Sequence, residues 1–261
     1  MVTPPVRSIV ALVRQVSPRL AECVLTHLGR VAVDVQRALA QHRAYCEVLS
    51  SLGARVESVA PLPDAPDGVF VEDTAVVVDE VAVITRPGVP SRSGETETVA
   101  SALSAYRQVL GVSGEATLEG GDVMRVGRTL YVGRSGRTNQ TGVAELGALL
   151  APWGYQIQGV DVAGCLHLKT ACTFVPPHYV LANPDWIDRR VFAGVTVIDV
   201  AGDEPFAGNT LTLGGVTLVA SNCPRTAAIL NAQGVITRAV DLSELAKAEG
   251  ALTCSSVIVD L

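Results

Sequence analysis

The stretch "LTCSSVIVDL" (252–261) decides the fold. Val257, Ile258 and Val259 are β-branched and apolar, so they read as a strand. Cys254 stands at the mouth of that strand. Four other segments open in the same way but go further: a polar residue, an apolar strand, a tight turn, a second apolar strand, then a Pro, Gly or Asn break. They are "VEDTAVVVDEVAVITRPG" (71–88), "LEGGDVMRVGRTLYVGRSGRTN" (118–139), "LHLKTACTFVPPHYVLANPD" (166–185) and "AGNTLTLGGVTLVASNCP" (207–224). The fifth segment begins this pattern and then runs out of chain.

The polar residues that head the five strands are Glu72, Glu119, His167, Asn209 and Cys254, separated by 47, 48, 42 and 45 residues. Helical patterns lie between the hairpins. "GETETVASALSAYRQVL" (94–110) carries Val99, Leu103, Tyr106 and Leu110 at helical spacing. "NQTGVAELGALLAPWG" (139–154) is a second helical pattern, and "CPRTAAILNAQG" (223–234) a third, with Pro in its first turn and Gly at its end. Further strands follow in "ARVESVAPL", "GYQIQGVDV", "VTVIDVAG" and "VITRAVDL". Repeats of this length stack into solenoids or close into propellers. The expectation is an α/β propeller of five hairpin–helix–strand units. The N-terminal strand "RSIVALVRQ" supplies the missing partner of the last strand and closes the ring. Residues 1–261 then form one domain, and the five polar residues converge on a central channel.

Composition bounds the function. The chain has 261 residues, net charge −6, pI near 5.2 and mean hydropathy +0.35. That length can bury a sizeable core. No apolar run is long enough to span a bilayer. The opening "MVTPPVRSIVALVRQVSPRL" does not make a secretory signal, so the expected compartment is the cytoplasm. No basic cluster suggests nucleic acid as a partner. The six cysteines do not suggest a disulfide scaffold in a chain of this size. Nothing fixes the oligomeric state; a homodimer is compatible.

A cysteine, a histidine and carboxylates in one cleft are the parts of a thiolate nucleophile with its acid/base partner. Cys165, His167 and Cys172 in "CLHLKTAC" could instead hold a metal, but no second pair of close ligands completes four, so no metal is expected. The several acids suggest a cationic electrophile such as a guanidinium. Glu72 and Asp73 are adjacent, so both reach the channel only if the chain bends there. Asp67 lies five residues before Glu72. Asp79 and Glu80 sit at a hairpin turn and read as solvated. Arg92 and Arg137 follow hairpins, and their planar forks suit a substrate carboxylate.

The motifs "THLG" (26–29), "DGVFVEDTAV" (67–76), "ITRPGVPSR" (84–92), "LEGGDV" (118–123), "SGRTNQTG" (135–142), "LHLK" (166–169) and "LTCSSV" (252–257) stand in order over nearly the whole chain. In combination the chain resembles the dimethylarginine dimethylaminohydrolases, within the superfamily of guanidino-group-modifying enzymes. The family's fold is a fivefold pseudosymmetric α/β propeller. The resemblance implies Cys254 as nucleophile, His167 as general acid/base, and Glu119 as the carboxylate that binds the guanidinium and orients His167. It implies Asp73 as a second guanidinium contact, with Asp67 and Glu72 nearby, and Arg92 and Arg137 at the amino-acid end. Leu20, in "SPRLAEC", would belong to a flexible loop that covers the site. No metal or organic cofactor is implied.

The implied reaction is hydrolysis of mono- or dimethylated arginine to citrulline through a covalent thiouronium on the cysteine. Arginine deiminases share the superfamily but resemble "HLD" after the histidine, where this chain has "HLKT". Lys169 is expected to point away from the guanidinium, which it would repel. Amidinotransferases need an acceptor amine, which sequence does not address. Agmatine deiminases take a substrate without the carboxylate that Arg92 and Arg137 would hold. From another class, a non-catalytic repeat scaffold would need neither thiolate nor histidine.

Overall fold

The computed structural model describes residues 8–261; the first seven residues of the opening stretch, including Arg7 of the expected N-terminal strand, lie outside the described residues. Strand β1 (Ile9–Val13) leads through an irregular segment to helix α1 (Val35–Ser51) and strand β2 (Ala54–Ser58). Asp34 starts α1 by accepting the Arg37 N–H on its side chain. The first full unit is β3 (Ala75–Val77), β4 (Val81–Ile84), α2 (Thr96–Leu103) and β5 (Gln108–Gly111). The second is β6 (Val123–Val126), β7 (Thr129–Arg134), α3 (Gln140–Leu150) and β8 (Gln156–Asp161). The third begins with the short helix α4 (Leu168–Ala171), then β9 (Cys172–Val175), β10 (Tyr179–Ala182) and β11 (Thr196–Asp199). The fourth is β12 (Leu211–Leu213), β13 (Val216–Ala220), α5 (Pro224–Ala232) and β14 (Thr237–Val240). The short helix α6 (Ser243–Ala246) and strand β15 (Val257–Asp260) follow.

Each unit is a three-stranded sheet with an antiparallel hairpin and a parallel return strand. The fifth sheet obeys the same rule across the whole sequence: β15 pairs antiparallel with β1, and β1 pairs parallel with β2. The N-terminal strand therefore completes the last unit, as the repeat grammar predicts. The strands β3, β6, β9, β12 and β15 line a common axial cavity of about 260 Å³, walled by Val76, Met124, Thr173, Thr212 and Ile258. Apolar clusters fill the wedges between sheets, for example Val83, Leu118, Leu130 and Leu146 between the first and second units. Among the described residues no helix is long and apolar enough to cross a membrane.

Three local readings change. The third unit has only a short 3₁₀ turn (Arg189–Val191) where a helix was expected between hairpin and return strand. The helix expected over 94–110 stops at Leu103. Tyr106 and Arg107 donate their N–H groups back to the Leu103 carbonyl, and the chain then pairs Val109 and Leu110 beside Ala82 and Val83. Sheet completion overrides the helical spacing. The phase shared by the repeats also differs from a simple strand head. Glu72, Glu119, His167, Asn209 and Cys254 all sit on tight or helical turns just before their strands. Such a turn aims several consecutive side chains at the axis, where a strand would aim every other one.

Candidate active site

The turn Val71–Thr74 is the bend that Glu72 and Asp73 require. Asp73 reaches one side of the axis. Its Oδ1 accepts the Gly121 N–H at 3.1 Å and its Oδ2 takes Arg92 Nη1 at 2.7 Å. His167 Nδ1 lies 3.8 Å from Asp73 Oδ1, and His167 Nε2 lies 2.6 Å from Glu119 Oε2. The imidazole is thus held between two carboxylates. The approach needs glycine at position 121, because a Cβ there would meet His167 Nδ1 at 2.6 Å and Asp73 Oδ1 at 2.7 Å. Asp122 fixes the turn after His167 by accepting the Leu168 N–H at 2.9 Å, and is itself bonded by the Ser135 hydroxyl at 2.6 Å.

Glu72 reaches the other side. Its Oε1 takes Lys169 Nζ at 2.5 Å and its Oε2 accepts the Thr253 hydroxyl at 2.6 Å. Asn209 donates to Thr253 Oγ1 at 3.0 Å and to the Lys169 carbonyl at 2.9 Å, and accepts the Thr253 N–H at 3.1 Å. The Glu72 N–H in turn donates to the Cys254 carbonyl at 3.1 Å. Lys169, expected to point away from the guanidinium, pairs with Glu72 and neutralises that carboxylate. The five polar residues of the repeat do converge. Asn209, which carries no assigned chemistry, ties two of the turns together.

Electrostatics follow from this geometry. Burial works against the His167 cation, but Asp73, Asp122 and Glu119 outweigh it and raise its pKa to about 9. Burial also opposes the Asp73 carboxylate, yet His167 and Arg92 hold it below its usual range. Burial pushes the Cys254 thiol well above its ordinary value, and Glu72 and Asp73 add to the rise. Both shifts favour a thiol and an imidazolium in the resting site. The atoms of Asp73, Glu119 and His167 lie within 4.8 Å of one another, a spacing that could hold a cation. Arg92 and Arg137 already place guanidinium charge on those two carboxylates. Cys165 and Cys172 do not join His167 in a ligand set; they bond to the His167 carbonyl and the Met124 sulfur.

The remaining expected residues are more entangled than the sequence suggests. Arg92 is buried and pairs with Asp73 and with Glu95 at 2.8 Å, while Nη2 also donates to the Phe70 carbonyl. Arg137 is held loosely, at 3.4 Å from Glu119 Oε1, with Nη2 donating to Thr26 Oγ1 at 3.1 Å. Asp67 accepts the Val24 N–H at 3.2 Å, and burial raises its pKa. Leu20 is fully buried in the apolar cluster that also contains Phe70, Cys23 and Cys254. Asp79 and Glu80 are not merely solvated: they pair with Arg125 and Arg128 of the next unit. Glu95 and Asp122 escaped the sequence reading. Their signal was present, since each lies in a quoted motif or helix among residues that bury.

A fivefold α/β propeller with a cysteine, a histidine and carboxylates on its axis defines a guanidino-group-modifying enzyme. Residues 30–246 match the family described as "N,N dimethylarginine dimethylhydrolase, eukaryotic". The N(G),N(G)-dimethylarginine dimethylaminohydrolase of Streptomyces coelicolor is 42% identical over 95% of this chain and 95% of its own. That of Pseudomonas aeruginosa is 32% identical over 89% and 91%. A structure of the Pseudomonas enzyme, a cysteine-to-serine mutant complexed with citrulline, superposes with a TM-score of 0.90 at 30% identity, covering 95% of this chain and 98% of that one. The N-terminal domain of ArgZ, a cyanobacterial arginine dihydrolase, shares the fold at 21% identity, with a TM-score of 0.88 and 97% of both chains covered. The chain belongs to the dimethylarginine dimethylaminohydrolase family.

Proposed function

We propose that this protein hydrolyses N-omega-methylated arginines, asymmetric dimethylarginine and monomethylarginine, to citrulline and the corresponding methylamine. The observation that carries the reading is the imidazole of His167 held between Glu119 and Asp73, with the Cys254 thiol close enough to feel the charge of Asp73 and Glu72. The carboxylates attract the guanidinium and hold it planar. Its positive charge offsets the field of Glu72 and Asp73, which otherwise keeps the thiol protonated, so substrate arrival favours the thiolate. The thiol proton passes to solvent as the substrate binds, and the Cys254 thiolate attacks the guanidinium carbon. The C–N bond to dimethylamine breaks, and His167, an imidazolium at neutral pH, protonates the leaving amine. The neutral imidazole then takes a proton from water, which attacks the thiouronium carbon. The C–S bond breaks and citrulline leaves. Glu119 stabilises the imidazolium in both half-reactions.

Arg137 is the readier clamp for the substrate carboxylate, because its carboxylate partner Glu119 is held only at 3.4 to 3.5 Å. Arg92 would act from its pairing with Asp73 and Glu95, so it also fixes the Asp73 carboxylate. A thioether likeness supports the covalent route: a related structure is a His-to-Gly dimethylarginine dimethylaminohydrolase adduct with S-methyl-L-thiocitrulline, with a TM-score of 0.90 at 30% identity. We read residues 1–261 as one catalytic domain, supported by the pairing of β1 with β15. All six cysteines are unpaired, which suits a reducing cytoplasm for a thiol enzyme. The test is citrulline formation from asymmetric dimethylarginine by the native protein and by Cys254→Ser. Citrulline from the native protein alone supports the reading. None from folded native protein, with citrulline from arginine instead, would replace it with a deiminase.

A further inference from the structure

Glu249 is the only non-glycine residue with a left-handed backbone among the described residues, at φ +59°. It sits where α6 ends. The Gly250 N–H bonds back to the Leu245 carbonyl at 3.0 Å, and the Glu249 N–H to the Ala246 carbonyl at 3.1 Å. That is the position after a helix at which glycine is preferred and a side chain is strained. Glycine does stand next door, but Gly250 has its own duty: a Cβ there would meet the Phe70 ring at 2.1 Å. Stability alone would favour glycine at 249 as well.

The carboxylate of Glu249 accounts for the strain. Oε1 accepts the N–H groups of His27 at 2.5 Å and Leu28 at 2.6 Å, and Oε2 accepts that of Thr26 at 3.0 Å. Three consecutive amides of an otherwise irregular segment converge on one side chain more than 200 residues away. That segment touches the site from its other flank. Thr26 Oγ1 receives Arg137 Nη2, and the Val24 N–H donates to Asp67. Glu249 is also five residues before Cys254 on the same connection.

We propose that Glu249 is a positioning residue: a carboxylate latch that holds residues 24–28 closed over the catalytic centre and so sets access to Cys254. The inference rests on the proposed function for its importance to turnover, but its structural content does not. Leu25 packs on the apolar cluster beneath, and the polar anchors of the segment run through Asp67, Arg137 and Glu249. The first two are groups that a bound amino-acid substrate would engage. Glu249 is the anchor left over to keep the segment down when the substrate competes for the others. Strained residues held in place by function are a recognised pattern.

The test uses Glu249→Gly, Glu249→Gln and Glu249→Asp. Glycine relieves the backbone strain while removing the latch. Two readouts need no methylarginine: the rate of Cys254 alkylation by iodoacetamide in the free protein, and trypsin cleavage after Arg30. The latch predicts that Glu249→Gly keeps or raises Tm yet speeds both reactions at least about tenfold, the effect expected if even one of the three charge-assisted hydrogen bonds contributes to closure. Glu249→Gln, which turns an N–H₂ toward N–H donors, should open the segment similarly, and Glu249→Asp should recover part of the protection. Unchanged alkylation and cleavage in Glu249→Gly, with raised Tm, would overturn the proposal and leave Glu249 a strained cap. If the protein forms no citrulline at all, these two rates still decide the latch.

Discussion

Glu72 and Asp73 are neighbours in sequence and opposites in surroundings. Asp73 faces the imidazole and Arg92, and its charge is coupled to a group that must gain and lose a proton. Glu72 faces Lys169, Thr253 and Asn209, an ion pair and two hydrogen-bonding side chains that hold a turn in place. One side of the axis is reactive and the other is a neutralised frame beneath Cys254. The difference teaches that a cluster of acids is not one unit. Partners, not residue type, decide which carboxylate does chemistry and which holds the nucleophile's turn in place.

Substitutions on the two sides should therefore separate activity from stability. Cys254→Ser should lower turnover by on the order of 10⁴-fold or more while the far-UV spectrum stays native. On the reactive side, Glu119→Gln should cost about 10²–10⁴ in kcat, because the imidazolium loses a charged partner. The same change should move the alkaline limb of the rate profile to lower pH, read from kcat against pH. On the frame side, Lys169→Met leaves Glu72 buried without its cation. It should destabilise by about 3–5 kcal/mol in urea unfolding while costing kcat less than Glu119→Gln does. Equal losses of kcat from the two variants would break the comparison. Smallest of these, Tyr45→Phe removes the hydroxyl that donates to the Leu252 carbonyl and meets Ser256 at 2.8 Å, and should cost about 1 kcal/mol.

The pH dependence of stability sharpens the same contrast. The folded pKa of His167, about 9, lies above the unfolded value of 6.5. The folded state therefore holds the proton more tightly. Its stabilising contribution is fully present below about pH 6.5 and is lost as pH rises through 9. Urea midpoints measured from pH 6 to 10 should fall over that window in the native protein. They should fall less in His167→Asn, which has no proton to lose.

The sequence made the fold legible because the repeat has a physical cause. Each unit needs a polar turn at the axis and an apolar hairpin beside it, and both leave marks at a regular period. Even the exchange of β1 into the last sheet could be read, since the segment 252–261 lacks a partner strand. The convergence of Glu72, Glu119, His167, Asn209 and Cys254 followed from phase alone. What could not be read depends on who meets whom. Helical spacing at Tyr106 and Leu110 was overridden by the pairing of β5 with β4. The orientation of Lys169, the pairing of Arg92 with Glu95 and the hold of Glu249 on residues 26–28 are contacts across long sequence separations. No local pattern encodes them.

The central claim is that Cys254 carries the substrate carbon through a covalent intermediate. The most direct measurement is acid quench of the protein during turnover of asymmetric dimethylarginine, followed by mass spectrometry of the tryptic peptide 248–261, whose single cysteine is Cys254. The account predicts a thiouronium adduct on that peptide that grows in with turnover, decays as citrulline accumulates, and is absent from Cys254→Ser. Citrulline formed with no adduct in the burst phase, or an adduct on another cysteine, would contradict it.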